Sequence, residues 1–460
     1  MQTDINDLGY IYFSVGINNA RYMNRDIDNR FSDSVFLGIC IYILRFIYYF
    51  VKSPWRYNTS LKKEKAVLIY GESTNNRNTL LPIIKELGDN KVIDLFSHSQ
   101  YPKWKQYWYA IPYLGSLLKE LRNANSDKRC IIRYFFAKFW VMYGCNKAAG
   151  ELLDFYKPSI LVMANDHLHF HRALMHEAKK RGIYTLYVQH ASVTDKFPPL
   201  EFDFSLLDGE DSYNKYNNHK NNSGNIYLTG GIRFDGINIS KQNLGGKTVI
   251  GVAINQFDDE TIVKGTCLQL KSFKFNDPIV EVILRPHPQM PIEMWSTWCK
   301  KNNVGFSFAR EETSFQFLSR ISVLISNQCS IHLDAAMCHT PSIIFKLSSS
   351  NIEDSYLFSK NGLAIEAHDM RELSCCIQES RNRQPSETAV KYYNCSYCSN
   401  YEGQVAKLMA DLIQCIPNKL MIFNKKYKFI LIEENENKHV YCTRSVSYTH
   451  LRAHETELHL

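Results

Sequence analysis

Val323-Leu324-Ile325-Ser326-Asn327-Gln328-Cys329-Ser330-Ile331-His332-Leu333-Asp334-Ala335-Ala336, continuing through Thr340-Pro341 to Ser342-Ile343-Ile344-Phe345, is the stretch on which the fold turns. Its apolar, β-branched run stops abruptly at polar residues. About forty residues earlier, Val282-Ile283-Leu284-Arg285-Pro286-His287-Pro288 does the same. Buried parallel strands read as continuous apolar runs, and they deliver side chains to the carboxyl edge of the sheet, where open α/β folds bind ligands. Ser330 is placed as the N-cap of a helical stretch whose free N–H groups suit a phosphate. Asp334 falls one turn further along the same face, where a carboxylate can accept hydrogen bonds from ribose hydroxyls. Arg285 and His287 complement a diphosphate from the neighbouring strand. The pattern predicts a nucleotide-diphosphate site built from Arg285, His287, Asn327, Ser330 and Asp334.

Working outward, strand-like and helix-like runs alternate along most of the chain, which is the signature of parallel sheets. Strands are expected at Lys65–Tyr70, Lys91–Phe96, Pro158–Ala164, Tyr184–Gln189, Phe204–Leu207 and Ile226–Leu228, then at Thr248–Ile254, Ile279–Leu284, Ser322–Ile325 and Ser342–Phe345. Gly71 to Asn78 reads as a polar turn, with a helix over Thr79 to Leu87, and two or three helices fill Tyr107 to Tyr156. The Gly- and Asn-rich stretch from Gly236 to Lys247 lacks hydrophobic periodicity and is expected to link two domains. The expectation is therefore an α/β protein of two Rossmann-like domains facing a cleft, with an N-terminal apolar helical extension. The boundaries fall at 1–64 for the extension, 65–240 for an acceptor domain and 247–415 for a nucleotide-donor domain.

Transfer chemistry also needs a base opposite the donor. Two candidates stand at predicted strand ends in the first domain: Asp166, in Asn165-Asp166-His167, and His190, after Tyr184–Gln189. The plainer reading makes Asp166 a helix cap and His190 a loop hydrogen-bonding group. His167, His169 and His171 would share a face on a strand, but on a helix only the first and last are neighbours. They are read as cleft-lining or capping residues, and no metal site is expected.

These motifs resemble those of bacterial surface-polysaccharide transferases of the GT-B type, close to capsule and Kdo transferases and CDP-glycerol glycerophosphotransferases. The resemblance rests on Arg285 to Pro288, Ser330 to Asp334 and His339-Thr340-Pro341. It also rests on Ala164 to His167, Tyr187 to His190, Thr229-Gly230-Gly231-Ile232-Arg233-Phe234-Asp235, and Glu402 to Ala406. It spans roughly Lys65 to Ile413, and the order of the motifs carries it more than any single one. Two positions depart from the pattern: Ala191 stands where the family usually has Gly, and His339-Thr340 precedes Pro341 where a Gly is common. The resemblance implies a metal-independent glycosyltransferase, without a cofactor, that moves a sugar or polyol phosphate from a nucleotide-activated donor to a surface polysaccharide or lipid-linked glycan. A nucleotide-sugar epimerase of the same fold and a non-catalytic glycan-assembly protein are the alternatives.

Composition fits this class. The 460 residues exceed what one core usually supports. A net charge of +8 favours anionic partners, yet no nucleic-acid recognition module or basic block is present. The 13 cysteines are scattered, which fits reduced buried thiols in a cytoplasmic protein. Val35 to Val51 is almost wholly apolar, interrupted by Arg45, and Lys52, Arg56, Lys62, Lys63 and Lys65 follow. This run is short of the ~20 apolar residues a spanning helix needs. A helix lying on the inner face of the cytoplasmic membrane, or covered by protein, fits it better. The aromatic zone from Tyr101 to Tyr143 reads first as core. Residues 446–456 resemble a translated sequencing adapter, and the tail 446–460 is set aside.

Overall fold

The computed structural model describes residues 4–14, 34–96, 100–218, 223–237, 242, 244, 246–256, 258–273, 280–288, 290–349, 356–380 and 383–416, and the backbone of 429–434 and 437–442. Half of the expected linker and the whole adapter-like tail lie outside these residues.

Twelve strands form two parallel six-stranded layers. The first comprises β1 (Val67–Tyr70), β2 (Val92–Leu95), β3 (Ile160–Met163), β4 (Tyr184–Val188), β5 (Phe204–Leu207) and β6 (Asn225–Leu228), in the order β6-β5-β4-β3-β1-β2. The second comprises β7 (Thr248–Ala253), β8 (Val280–Arg285), β9 (Gly305–Phe306), β10 (Val323–Ser326), β11 (Ser342–Phe345) and β12 (Ile365–Ala367), in the order β12-β11-β10-β7-β8-β9. The protein is thus an α/β molecule of two Rossmann-like sheets, the GT-B arrangement. Strand order reverses between β1 and β3 in one sheet and between β7 and β10 in the other. Such switch points open a crevice at the carboxyl ends of the strands. The predicted strands lie within a residue or two of those observed. Every residue of β1, β3, β10 and β11 is buried, as the apolar runs required.

Several elements differ from the sequence reading. The supposed polar turn before Thr79 is largely helical: the helix spans Thr74–Leu87, and the Ser73 hydroxyl accepts from Asn76 N–H, a polar start that hid the helix. Four helices, not two or three, occupy the next region: Trp104–Ala110, Leu114–Asn123, Ser126–Tyr134 and Phe136–Tyr156. Beyond the expected strands, β14 (Asn437–Cys442) adds parallel to β6, and β13 (Phe429–Glu434) pairs antiparallel with β14.

Helix Val405–Cys415 was assigned to the close of the second domain. Val405, Leu408, Met409, Leu412 and Ile413 are instead buried in one core with Val67, Ile69, Leu80 and Ile83 of the first. The chain crosses back because the first sheet has an apolar flank to cover. The helix start is held there by Asp235, whose carboxylate accepts from Val405 N–H at 2.9 Å and Ala406 N–H at 2.6 Å. Two backbone positions bear on the family departures. Ala191 needs no left-handed conformation, whereas His339 adopts φ +51°, the kind of site where glycine is cheaper.

Asp235→Ala removes both hydrogen bonds at that helix start, and a lost cap typically costs about 1–2 kcal/mol. The melting temperature is expected to fall by a few degrees, and an unchanged melt would show that the packing alone holds the crossing helix.

Candidate active site

Asp166 follows β3 at the switch point and is 1% exposed. Both of its oxygens are engaged. Oδ1 accepts from His167 Nδ1 at 2.8 Å, and Oδ2 accepts from the Tyr216 hydroxyl at 2.5 Å. Burial works to raise this carboxyl, but the hydrogen bonds from His167 and Tyr216 and the nearby imidazoles hold it below the usual carboxylate range. The expectation of Asp166 as the base meets this geometry: the carboxylate stands behind His167 and orients it. The bond to Asp166 places the proton on His167 Nδ1, and the Nε2 lone pair accepts from Asn165 Nδ2 at 3.3 Å. Neither residue caps the next helix, whose N-cap is Leu168 without a side-chain bond; Asn165 Oδ1 instead accepts from the N–H groups of His167 and Leu168 in the turn before it.

His169 and His171 enter the helix His169–Lys180, so the three imidazoles do not converge. His171 is fully buried beside the Tyr70 ring. His190, after β4, lies within electrostatic reach of His167, Asp166 and Arg233, and burial pushes its imidazole down to about 4. It is neutral near pH 7 and a weaker base than an ordinary histidine.

The second sheet presents a less direct picture of the donor residues. Arg285 ends β8, but its guanidinium is tied down: Nη1 donates to Ser307 Oγ at 2.6 Å and Nη2 to the Glu312 carbonyl at 2.9 Å. It packs over the Phe317 ring at 5.4 Å, and burial lowers its affinity for its proton. Asn327 is likewise committed, donating to Asp258 Oδ1 at 2.9 Å and to Ser348 at 3.3 Å. His287 is half-buried just past the strand, and its carbonyl accepts from Met290 N–H. Ser330 occupies the N-cap position of Ile331–Met337, yet its side chain makes no capping bond, and that helix is only seven residues long. The expected hydroxyl cap is absent because Ser330 has helical rather than extended backbone angles. Asp334 projects toward the first domain, where Arg233 Nη2 approaches its Oδ1 at 3.6 Å. Burial raises the Asp334 carboxyl against the pull of Arg233, Ser314 and Arg285.

Arg233 is the residue the sequence reading quoted in a motif but left out of the site. It sits on the short helical turn Ile232–Phe234 after β6, stacked on the Phe234 ring at 4.6 Å. Its Nε and Nη2 have no hydrogen-bond partner among the described residues. Two glycines make the turn possible. Gly230 has φ +85°, and a Cβ there would come within 2.4 Å of Ser396. Asp208, at the end of β5, is a second omission. It is 3% exposed, its Oδ1 has no hydrogen-bond partner among the described residues, and burial pushes its carboxyl up to about 7 despite Arg233 nearby. Gln189, in the Gln-His motif, positions it by accepting from Asp208 N–H at 2.9 Å. Applying the strand-end rule to β5 and β6 as well would have found both residues.

The first sheet thus carries an oriented imidazole at one strand end and a partly unpartnered guanidinium at another, the latter 3.6 Å from a carboxylate of the second sheet. No protein-family model matches this chain, and no curated protein does. Among solved structures it is similar to the UDP-GlcNAc 2-epimerase of Methanocaldococcus jannaschii, at 10% identity and TM-score 0.46, covering 76% of this chain and 99% of that one. It is similar also to MurG of Acinetobacter baumannii, at 14% identity and TM-score 0.45, covering 76% and 99%. A third is the wall teichoic acid polymerase TagF, at 11% identity and TM-score 0.40, covering 84% and 98%.

The raised Asp208 carboxyl gives a pH-dependent prediction. Its folded value lies above the unfolded value of about 3.9, so its contribution to stability is full below that value and lost as pH rises through about 7. Asp208→Asn is expected to raise the melting temperature by at least roughly 2–4 °C at pH 8 and by only about a third as much near pH 5. An equal effect at both would mean that Asp208 titrates normally.

Proposed function

We propose that the protein is a nucleotide-sugar-dependent glycosyltransferase, moving a sugar, or a polyol phosphate, from a nucleotide-activated donor to a surface polysaccharide or lipid-linked glycan. The observation that carries the reading is that the first sheet holds, at its strand ends, both the Asp166–His167 pair and an arginine that reaches Asp334 of the second domain with hydrogen-bonding capacity to spare. The acceptor hydroxyl displaces the Asn165 amide from His167 Nε2, which takes its proton as that oxygen attacks the anomeric carbon. The bond from that carbon to the nucleotide's phosphate oxygen breaks, and the nucleoside diphosphate leaves. Asp166 stabilises the imidazolium so formed. Arg233 donates its unshared N–H groups to the departing diphosphate, and Asp334 receives ribose hydroxyls. For a polyol phosphate the attack falls on phosphorus and the nucleoside monophosphate leaves. Arg285 and Asn327 hold the walls of the donor side, and neutral His190 lines the acceptor side.

The acceptor side continues into a surface suited to lipid. Helix Val35–Lys52 packs its Gly38, Ile41 and Tyr42 face on the domain, with Tyr42 stacked on Trp140 at 3.7 Å. The opposite face exposes Phe36, Ile43, Leu44, Ile47, Tyr48 and Val51, and Trp55, Trp108, Ile111 and Tyr113 extend the apolar area. The helix is long and apolar enough to cross a membrane. With one face committed to protein, we read it as lying on the anionic inner surface, with exposed Lys52 and Arg56 at the headgroups.

Three measurements test these readings. In thermal-shift assays against CMP, CDP, UDP, GDP and their sugars, a ligand at ~100 times its dissociation constant adds ~2.7 kcal/mol. One nucleotide is expected to stabilise the protein, and Arg233→Ala should abolish the shift. His167→Ala should keep the shift and lose turnover by about 10²–10⁴-fold. Donor incubated alone and followed by NMR separates the classes: an epimerised sugar would make this an epimerase, and no shift with any nucleotide would favour a non-catalytic role. Finally, Phe36→Glu with Leu44→Glu should release the protein from vesicles containing anionic lipid. Undiminished sedimentation would place the anchor elsewhere.

A further inference from the structure

Away from the cleft, Asp7, Arg172, His176 and Glu201 meet. Asp7 belongs to the short N-terminal helix Ile5–Leu8, Arg172 and His176 to the helix His169–Lys180, and Glu201 to the loop before β5. His176 Nε2 lies 3.5 Å from Asp7 Oδ2 and 3.7 Å from Glu201 Oε2, and ligand atoms of all three lie within 4.8 Å of one another. Ligands 2.0–2.1 Å from a tetrahedral zinc ion are spaced about 3.4 Å apart, so the imidazole would need to close on each carboxylate by only a few tenths of an ångström, and the two carboxylates on each other by at most about 1.4 Å. Arg172 does not fill the position. Its Nη2 binds Asp7 Oδ1 and, at 2.7 Å, Glu201 Oε1, the outer oxygens of both carboxylates. That leaves one oxygen of each carboxylate turned toward the imidazole. Asp7 Oδ2 is almost wholly shielded from solvent yet makes no hydrogen bond among the described residues.

We infer that Asp7, His176 and Glu201 form a binding site for a divalent cation of zinc's kind, which fastens the N-terminal helix to the first domain. The donor set of one imidazole and two carboxylates suits zinc and its transition-metal neighbours. It is too poor in oxygen for calcium, which takes six to eight such ligands. Arg172 serves as the outer partner that orients the ligating carboxylates. The fourth coordination position is left to water, since all three residues are partly exposed. The cation's role is structural, and it reaches the cleft only indirectly. Arg172 Nη1 also donates to the Asp166 carbonyl at 3.2 Å, so fixing Arg172 from outside steadies the residue that orients His167.

The test is Zn²⁺ titration of the full chain after chelator treatment, by calorimetry, alongside Asp7→Asn, His176→Ala and Glu201→Gln. His368→Ala, at an exposed histidine remote from the cluster in sequence, is the control. The parent is expected to bind one ion that each cluster variant weakens at least tenfold and the control leaves unchanged. Variants that bind as the parent does, or a parent that binds none, would reduce the cluster to an ion-pair network only. Because a variant can fail for folding reasons, the Co²⁺ spectrum of the parent gives an independent reading. Nitrogen–oxygen ligation shows visible d–d bands without thiolate charge transfer, and a thiolate band would assign the uptake to cysteine and overturn the site.

Discussion

A carboxylate carried into the interior at the end of a parallel strand must be answered by donors, and Asp166 organises much of the first domain by that requirement. Tyr216 reaches it from the helix Glu210–Asn217, and His167 turns back from the next position along the chain. Arg172 takes up the Asp166 carbonyl while holding Asp7 and Glu201. One buried charge therefore fixes the angle of the helix after β3, the position of the helix after β5 and the attachment of the N-terminal segment. Removing one partner of such a network costs more than its hydrogen bond, because the remaining charge is left unanswered in a low-dielectric interior.

The two arginines of the cleft show how packing separates holding from acting. Arg285 ends its strand as the motif requires, but Ser307 and Glu312 occupy its fork, and it serves to close the edge of β8 over Phe317. Arg233 lies on a turn that only the Gly230-Gly231 pair allows, and it is stacked on Phe234 rather than bonded through Nε and Nη2. A guanidinium held by ring stacking keeps its hydrogen-bonding capacity for an anion. Of the two, Arg233 has the character of a ligand-binding group.

The strands were legible because a sheet buried on both faces demands uninterrupted apolar runs, and such runs stand out at β1, β3, β7, β10 and β11. What escaped was local polarity with a tertiary purpose. Ser73 to Asn78 reads as a turn unless Ser73 is seen as a cap, and Val405–Cys415 gives no sign in its own sequence of which sheet it covers. The site was legible as far as the strand ends. Asn165-Asp166-His167 was found, but which of the three faces the cleft depends on Tyr216, fifty positions away. The fate of Arg285 likewise depends on Glu312, which no strand-end rule consults.

The apolar helix Val35–Lys52 is where sequence and packing together say more than either alone. Its composition is that of a membrane segment, yet Gly38 permits Phe136 to approach so closely that a Cβ would lie 2.6 Å from it, and the Tyr42 hydroxyl bonds the Tyr107 carbonyl. These contacts immobilise one face along its length. A helix so held cannot be lipid-covered all round, as a span exposed to the bilayer would be. What remains is a one-sided apolar surface beside tryptophans and lysines. The polar groups beneath it run inward through Lys103 and Glu72, which are paired at 3.0 Å, toward His171 and the helix that begins just past His167. On the proposed reading, an acceptor carrying a lipid at one end and a hydroxyl at the other meets these two environments in that order.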